Sequence, residues 1–296
     1  MQLEKLGSEI SSLRKELGIS QKLLCEDICT QPTISLIERG EMLPGLDIIY
    51  KISLKLKKPL SYFLNIMFEN NYEYVHEMIV YIEEQSLSQR FDIVYEMVAK
   101  ELEQVSEKNN PWFYHFLQWQ HTLCLFFLKK NNSTATTIKL KALLAREYNL
   151  ILSKDFLRER ILNSLAFIYA LEKNYDLSIY YYEKIDFTET YSSSPRLDPK
   201  IYRLRVLYNK AKTLYDMKRY SEAIQVIDEG IETSLKLENM SLLGNFYYYK
   251  GQCCEKTEES FDEASFCYKQ ALFFFSLLKR ELYTDLVKKQ KGRFLV

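Results

Sequence analysis

Gly18-Ile19-Ser20-Gln21, Ile34-Ser35-Leu36-Ile37-Glu38-Arg39-Gly40 and Pro44-Gly45-Leu46-Asp47-Ile48 are the strings whose reading decides how the chain begins. Upstream of them, Leu3, Leu6, Ile10, Leu13 and Leu17 recur at steps of three and four, the period of an amphipathic helix. Gly18 stops that helix. Ser20 is a residue type that caps helix N-termini, so a short second helix is expected over 21–28, with Leu24 and Ile28 turned inward. Cys29-Thr30 makes a tight turn. Thr30 then caps a third helix over 31–38, where Pro32 is tolerated because it lies in the first turn. Ile34 and Ile37 face inward and Arg39-Gly40 ends the helix. Two more helices are expected over 46–56 and 59–68, which makes 1–68 a five-helix domain.

These strings together resemble the phage-repressor type of helix-turn-helix, with a turn one residue shorter than in many relatives. The resemblance implies that helix 31–38 enters the major groove of double-stranded DNA. Gln31, Thr33, Ser35 and Leu36 would then meet base edges. Gln can bond adenine through two atoms, and a Thr methyl can touch the thymine methyl. Gln21 falls where relatives contact phosphate, and Thr30, Pro32 and Arg39 complete the expected DNA-binding set. Arg14 and the amides near Gly45 and Leu46 are further phosphate candidates. Two positions depart from the pattern. Pro32 offers no side-chain donor, and Leu36 stands where relatives often carry Arg, so thin base readout and a larger share of shape readout are expected.

Composition limits the rest. The 296 residues suit about two domains. Only 8 Gly and 6 Pro occur, and 47% of the chain is hydrophobic, which favours an all-α protein. There are 40 basic and 40 acidic residues, so a uniformly basic nucleic-acid binder is excluded. Residues 1–68 hold nine Lys/Arg against eight Asp/Glu, a weak electrostatic footprint for DNA. The six Cys form no CxxC and no His stands at zinc-ligand spacing beside them. They read as small buried hydrophobes in a reducing cytoplasm. His76, His115 and His121 read as solvated or core-satisfied, and Glu258-Glu259 as solvated surface in a turn. The motifs of nucleotide-binding loops, nucleophile elbows and zinc proteases are missing. No metal, cofactor or enzyme activity is therefore expected. The first residues carry Glu4 and Lys5 and do not read as a signal peptide. The apolar runs 123–128 and 271–278 are too short to span a bilayer.

The remainder repeats itself. Leu162-Asn163-Ser164-Leu165-Ala166-Phe167-Ile168-Tyr169 matches Tyr208-Asn209-Lys210-Ala211-Lys212-Thr213-Leu214-Tyr215. Each is followed by a polar link and a second helix, begun by Tyr175-Asp176-Leu177-Ser178-Ile179 and Tyr220-Ser221-Glu222-Ala223-Ile224. A third copy has its first helix around 245–254 and its second from Phe261 through Ala264, Tyr268 and Ala271. The spacing of small and aromatic residues resembles tetratricopeptide repeats. Ser178, Ala223 and Ala264 fall where helices cross closely. Weaker copies are expected over 71–107 and 111–149, and a closing helix over 277–291. About five degenerate repeats would form a right-handed solenoid with a concave face, and 186–199 is its clearest loop. The expected organisation is a DNA-binding domain over 1–68, a linker helix over 69–78 and a repeat domain over 79–296. Ile66 to Met78 would carry any coupling between the two.

Such a groove suits an extended peptide. Asn163 and Asn209 hold equivalent places on successive first helices, and Asn245 extends the series. A carboxamide there can donate to and accept from a peptide backbone at once. Tyr208, Tyr215, Tyr247 and Tyr283 are the candidate pocket residues. The whole arrangement resembles the peptide-responsive, quorum-sensing regulators of Gram-positive bacteria, of the PlcR type. Glu4 to Ile10, Phe116 to Gln120, Tyr208-Asn209 and the run from Ala271 to Phe275 all carry the likeness. It implies a cytoplasmic homodimer, an activator, that binds a short imported peptide and a palindromic operator, with no membrane contact. A regulator whose repeats hold a protein partner, and a repeat scaffold with a vestigial head, are the alternatives.

Overall fold

The computed structural model describes residues 2–68, 72–108, 110–145, 155–188, 198–257 and 261–295. Every regular element among them is helical. By Cα proximity the chain forms two compact units, Met1–Cys124 and Leu125–Val296.

The first unit opens with α1 (Leu3–Glu16), α2 (Gln21–Cys25), α3 (Gln31–Glu38), α4 (Leu46–Lys55) and α5 (Leu60–Phe68). Leu6, Ile10, Leu24, Ile34, Ile37, Ile49, Ile52 and Phe63 close one apolar core among them. The expected caps are present. Ser20 Oγ accepts from Leu23 N–H at 3.1 Å, and Thr30 Oγ1 from Thr33 N–H at 3.4 Å. α3 ends as a helix with a left-handed glycine should. Gly40, at φ 73°, donates to Ile37 O at 2.9 Å, and Glu41 N–H reaches Leu36 O at 2.9 Å.

α2 is shorter than the expected 21–28, and stops at Cys25. Asp27 takes a left-handed φ of 60°. The carbonyls released there find partners on α4. Lys55 Nζ donates to Leu23 O at 2.9 Å and Glu26 O at 2.5 Å, and Lys51 Nζ to Asp27 O at 3.1 Å. Leu17 is also exposed rather than inward, since α1 has already ended.

α1 and α3 meet at Gly7, where a Cβ would lie 2.4 Å from Ile37 O and 2.5 Å from Glu38 O. A part-buried ion pair locks the same crossing. Arg14 Nε and Nη2 donate to the two Glu38 oxygens at 2.6 and 3.0 Å, and Arg14 Nη1 donates to Ile19 O at 2.8 Å. Gln21 Nε2 adds a bond to Glu38 at 2.9 Å. Burial pushes the Glu38 carboxyl upward, but the bonds from Arg14 and Gln21 and the Arg14 charge outweigh it, and the net shift is downward.

Beyond α5, residues 69–71 of the expected linker lie outside the described residues, and α6 (Tyr72–Leu87) covers the rest of it. α7 (Phe91–Gln104) and α8 (Pro111–Phe127) follow. Buried His115 lies 2.6 Å from Pro111 O through Nδ1, and His121 stacks on Tyr95 at 5.3 Å.

The second unit continues with α9 (Ser133–Leu144), α10 (Leu157–Leu171), α11 (Tyr175–Glu183), α12 (Pro199–Asp216), α13 (Tyr220–Lys236), α14 (Leu243–Cys254), α15 (Phe261–Leu277) and α16 (Glu281–Lys291). The pairs α10–α11, α12–α13 and α14–α15 pack as helical hairpins, and the first helices α10, α12 and α14 also touch one another in order. Ser178, Ala223 and Ala264 are all buried at these crossings. The closing helix starts at Glu281 rather than 277, because Lys279 takes φ 53° and turns the chain. Residues 189–197 of the expected loop, and Glu258-Glu259, lie outside the described residues. After α16 the chain folds back. Phe294 stacks on Phe261 at 4.7 Å, and Ser265 Oγ donates to Phe294 O at 2.6 Å. Glu255 accepts from Tyr268, Lys291 and Arg293 together. Burial raises its carboxyl, but the bonds from Lys291, Tyr268 and Arg293 outweigh that and hold it below the ordinary glutamate range.

Two outcomes follow. Gly7→Ala forces a methyl into the backbone of α3 and lowers stability by about 1–3 kcal/mol, read from urea unfolding of the full chain. Glu38 and Glu255 both have depressed folded pKa values. Their stabilisation is complete above the unfolded glutamate value of about 4.3 and is lost as pH falls through each lower folded value. The melting temperature should fall across that acid range, and the double variant Glu38→Gln with Glu255→Gln should show a flatter profile there.

Candidate DNA and peptide sites

α3 presents its outer face from its first turn to its C-cap. Gln31 and Pro32 are exposed; Thr33, Ser35 and Leu36 are half-buried. The Thr30 and Thr33 hydroxyls lie 2.9 Å apart, so the cap also holds the Thr33 side chain in place. Arg39 at the far end is exposed but already occupied. Nε and Nη2 grip Glu41 at 2.8 and 3.0 Å, and Nη1 donates to Ser35 Oγ at 3.2 Å. The hydrogen bond and charge of Glu41 hold the Arg39 pKa above its ordinary value.

The other expected phosphate groups differ in their availability. Arg14 is 12% exposed and spends its guanidinium on Glu38 and Ile19, so it braces the head instead of facing outward. Gln21 spends Nε2 on Glu38. At the start of α4, a Cβ on Gly45 would lie 2.7 Å from Asp47 Oδ1, so a carboxylate sits at the amides that a phosphate would seek. The groups left outward are therefore the short polar side chains of α3, with Arg39 available once Glu41 is displaced.

In the second unit, the expected asparagines form a row across consecutive first helices. Asn209 Nδ2 on α12 donates to Asn163 Oδ1 on α10 at 3.2 Å, and Asn163 Nδ2 donates to Tyr202 OH at 3.1 Å. Asn245 on α14 hydrogen-bonds the Tyr208 hydroxyl and accepts from Arg280 Nη1 at 3.2 Å. Each carboxamide has two donor hydrogens and two lone pairs. The bonds between repeats take one donor and one lone pair of Asn163, and they orient the amides that remain. Asn163 and Asn245 are 6% and 8% exposed, so the row lies recessed.

The tyrosines divide. Tyr208 packs edge-on to Phe246 and Tyr249, and burial pushes its hydroxyl upward. Tyr215 meets the same Tyr249 at 5.7 Å. Tyr283 is half-exposed and stacks on Phe275 at 5.1 Å. Tyr247 packs on the same apolar cluster but from another side of α14. Two residues from Asn245, it is about 200° around the helix, where it stacks on Phe274 at 5.9 Å. Tyr202 and Arg280 join the row without having been expected. Neither carries a sequence signal, since their roles come from the neighbouring repeat. Among the described residues no cluster of His, Cys, Asp and Glu could hold a metal, and no helix is long and apolar enough to cross a membrane.

Comparison with known proteins gives two family matches. A helix-turn-helix model matches residues 10–63, and the model described as the RNPP family C-terminal domain matches residues 79–296. No curated protein sequence matches. Among solved structures, PlcR of Bacillus thuringiensis in complex with the peptide PapR7 and DNA is 31% identical, covering 96% of this chain and 99% of that one, with a TM-score of 0.79. Its apo form is 28% identical, covering 97% and 99%, with a TM-score of 0.65. ComR of S. thermophilus, in complex with DNA and its signalling peptide ComS, shares the fold at 17% identity and a TM-score of 0.64, covering 98% and 100%. With three quarters of its length matched by the C-terminal model and a helix-turn-helix before it, this chain belongs to the RNPP family.

Proposed function

We propose that the chain is a transcriptional regulator whose hold on a palindromic operator is governed by a short signalling peptide bound along the asparagine row. The observation that carries the reading is that row itself. Amides from α10, α12 and α14 are bonded to one another or to flanking Tyr and Arg across repeats. They offer an extended backbone a fixed series of donors and acceptors. What PlcR of Bacillus thuringiensis is seen with, a peptide and DNA, supports the same assignment.

On this reading residues 1–68 bind DNA, 69–78 link and 79–296 bind peptide. Gln31, Thr33, Ser35 and Leu36 meet base edges, with Thr30 and Pro32 setting the approach and Gln21 and Arg39 at phosphates. Asn163, Asn209 and Asn245 hold the peptide backbone, and Tyr208, Tyr215 and Tyr283 wall the site. Tyr247 is left to packing. The chain acts in the cytoplasm as a homodimeric activator and catalyses no reaction. Two heads suit two half-sites, spaced by a helical turn or a multiple of it. The peptide acts by population shift, binding the DNA-competent arrangement more tightly than the other.

Three measurements test this. Gln31→Ala with Thr33→Ala should cost about 1–3 kcal/mol of base discrimination on a duplex selected from a random pool, read by competition binding. Asn209→Ala should weaken binding of a pool-selected heptapeptide by about tenfold while leaving the fold intact, as one or two hydrogen bonds are lost. Titration calorimetry of that peptide with and without the selected duplex should give different affinities. Equal affinities would sink the coupling.

A further inference from the structure

Several cations of the second unit hold carboxylates of the same unit. Arg203 pairs with Glu229 at 2.5 Å, Arg219 with Glu222 at 2.5 Å, Lys236 with Glu232 at 2.7 Å and Lys250 with Asp228 at 2.6 Å. Lys291 and Arg293 share Glu255. Arg280 differs. Its side-chain partner among the described residues is a neutral oxygen, Asn245 Oδ1, at 3.2 Å. It is half-buried at the turn before α16, at the end of the asparagine row. Burial pushes the Tyr208 hydroxyl upward, and the same Asn245 amide opposes that push more weakly.

A guanidinium has five N–H donors in a planar fork, which matches the two oxygens of a carboxylate. One amide oxygen satisfies one of the five. A cation partly withdrawn from water and left without an anion is a poor resting arrangement and a good receptor. The bond to Asn245 also aims the fork, because the same amide belongs to the row that holds the peptide backbone.

We propose that Arg280 is a specificity residue of the peptide site, and that it takes a carboxylate of the bound peptide at this end of the row. The inference rests on the peptide reading given above. The carboxylate is the chain terminus or the side chain of an Asp or Glu, since both present the same pair of oxygens. Asn245 positions the guanidinium.

Affinity selection on the full chain tests it. The protein is incubated with a random heptapeptide pool, either with free C-termini or fully amidated, and retained peptides are sequenced by mass spectrometry. The wild type should enrich carboxylate-bearing peptides by about tenfold or more, the scale of one charge-assisted hydrogen-bonded pair. Enrichment lost on amidation assigns the terminus; enrichment of Asp or Glu at one position that survives amidation assigns a side chain. Arg280→Gln, which keeps a donor for Asn245, should retain peptides but lose the preference. Arg280→Lys should keep part of it and reports that the fold tolerates change there. An unchanged preference in Arg280→Gln, or none in the wild type, overturns the role of Arg280 and leaves peptide binding standing. Retention of no peptide by the wild type from either pool overturns both readings.

Discussion

Glu38 is the residue on which the geometry of the head depends. It sits on the last turn of α3, yet its bonds run to α1 through Arg14 and to the first residue of α2 through Gln21. A helix-turn-helix works only if its two short helices keep a fixed angle. α2 has five residues and α3 eight, too few to be stable alone. Apolar packing supplies most of the stability, but it is non-directional. The Arg14 fork is directional, and it is desolvated enough to resist salt. Gly7 belongs to the same constraint, because the fork closes only if the α1 and α3 backbones come this near.

The second unit meets a different constraint. A helical hairpin cannot bury its apolar face alone and must borrow the face of the next. The small residues Ser178, Ala223 and Ala264 allow that approach. Between the first helices the contact is partly polar, through asparagines and tyrosine hydroxyls. Polar bonds specify register better than apolar contact does, because a slipped amide loses its partner at a cost of about 1–3 kcal/mol. The row thus aligns successive repeats.

Much of this was legible in the amino-acid order. The caps Ser20 and Thr30, the span of α3 and the pairing of repeats follow from local rules. The equivalence of Asn163 and Asn209 follows from repetition. What escaped was tertiary. The carbonyls freed at the end of α2 are met by Lys51 and Lys55, more than twenty residues downstream. Arg14 was expected to face phosphate, and its partner Glu38 lies on a helix that periodicity treats separately. Tyr247 looked like Tyr208 in the sequence, but it stands on another side of α14, against Phe274. Arg280 precedes a helix whose start the periodicity set four residues too early.

The grip of Glu41 on Arg39 bears on how the head would hold DNA. Affinity for a duplex usually comes from releasing the ions condensed around its phosphates, one for each protein cation that replaces them. A cation that arrives with its own carboxylate must first give that up, and the net gain in released ions is small. Arg14 is committed in the same way, and Lys51 and Lys55 are bound to backbone carbonyls of the turn after α2. Arg14 and Arg39, held by their own carboxylates, therefore add little to ion release, and the ionic-strength dependence they contribute is shallow. On the proposed dimeric reading, tight binding comes from joining two heads on one duplex, where the second contact is made at a high effective concentration. Control over how the heads are joined would then be control over occupancy itself.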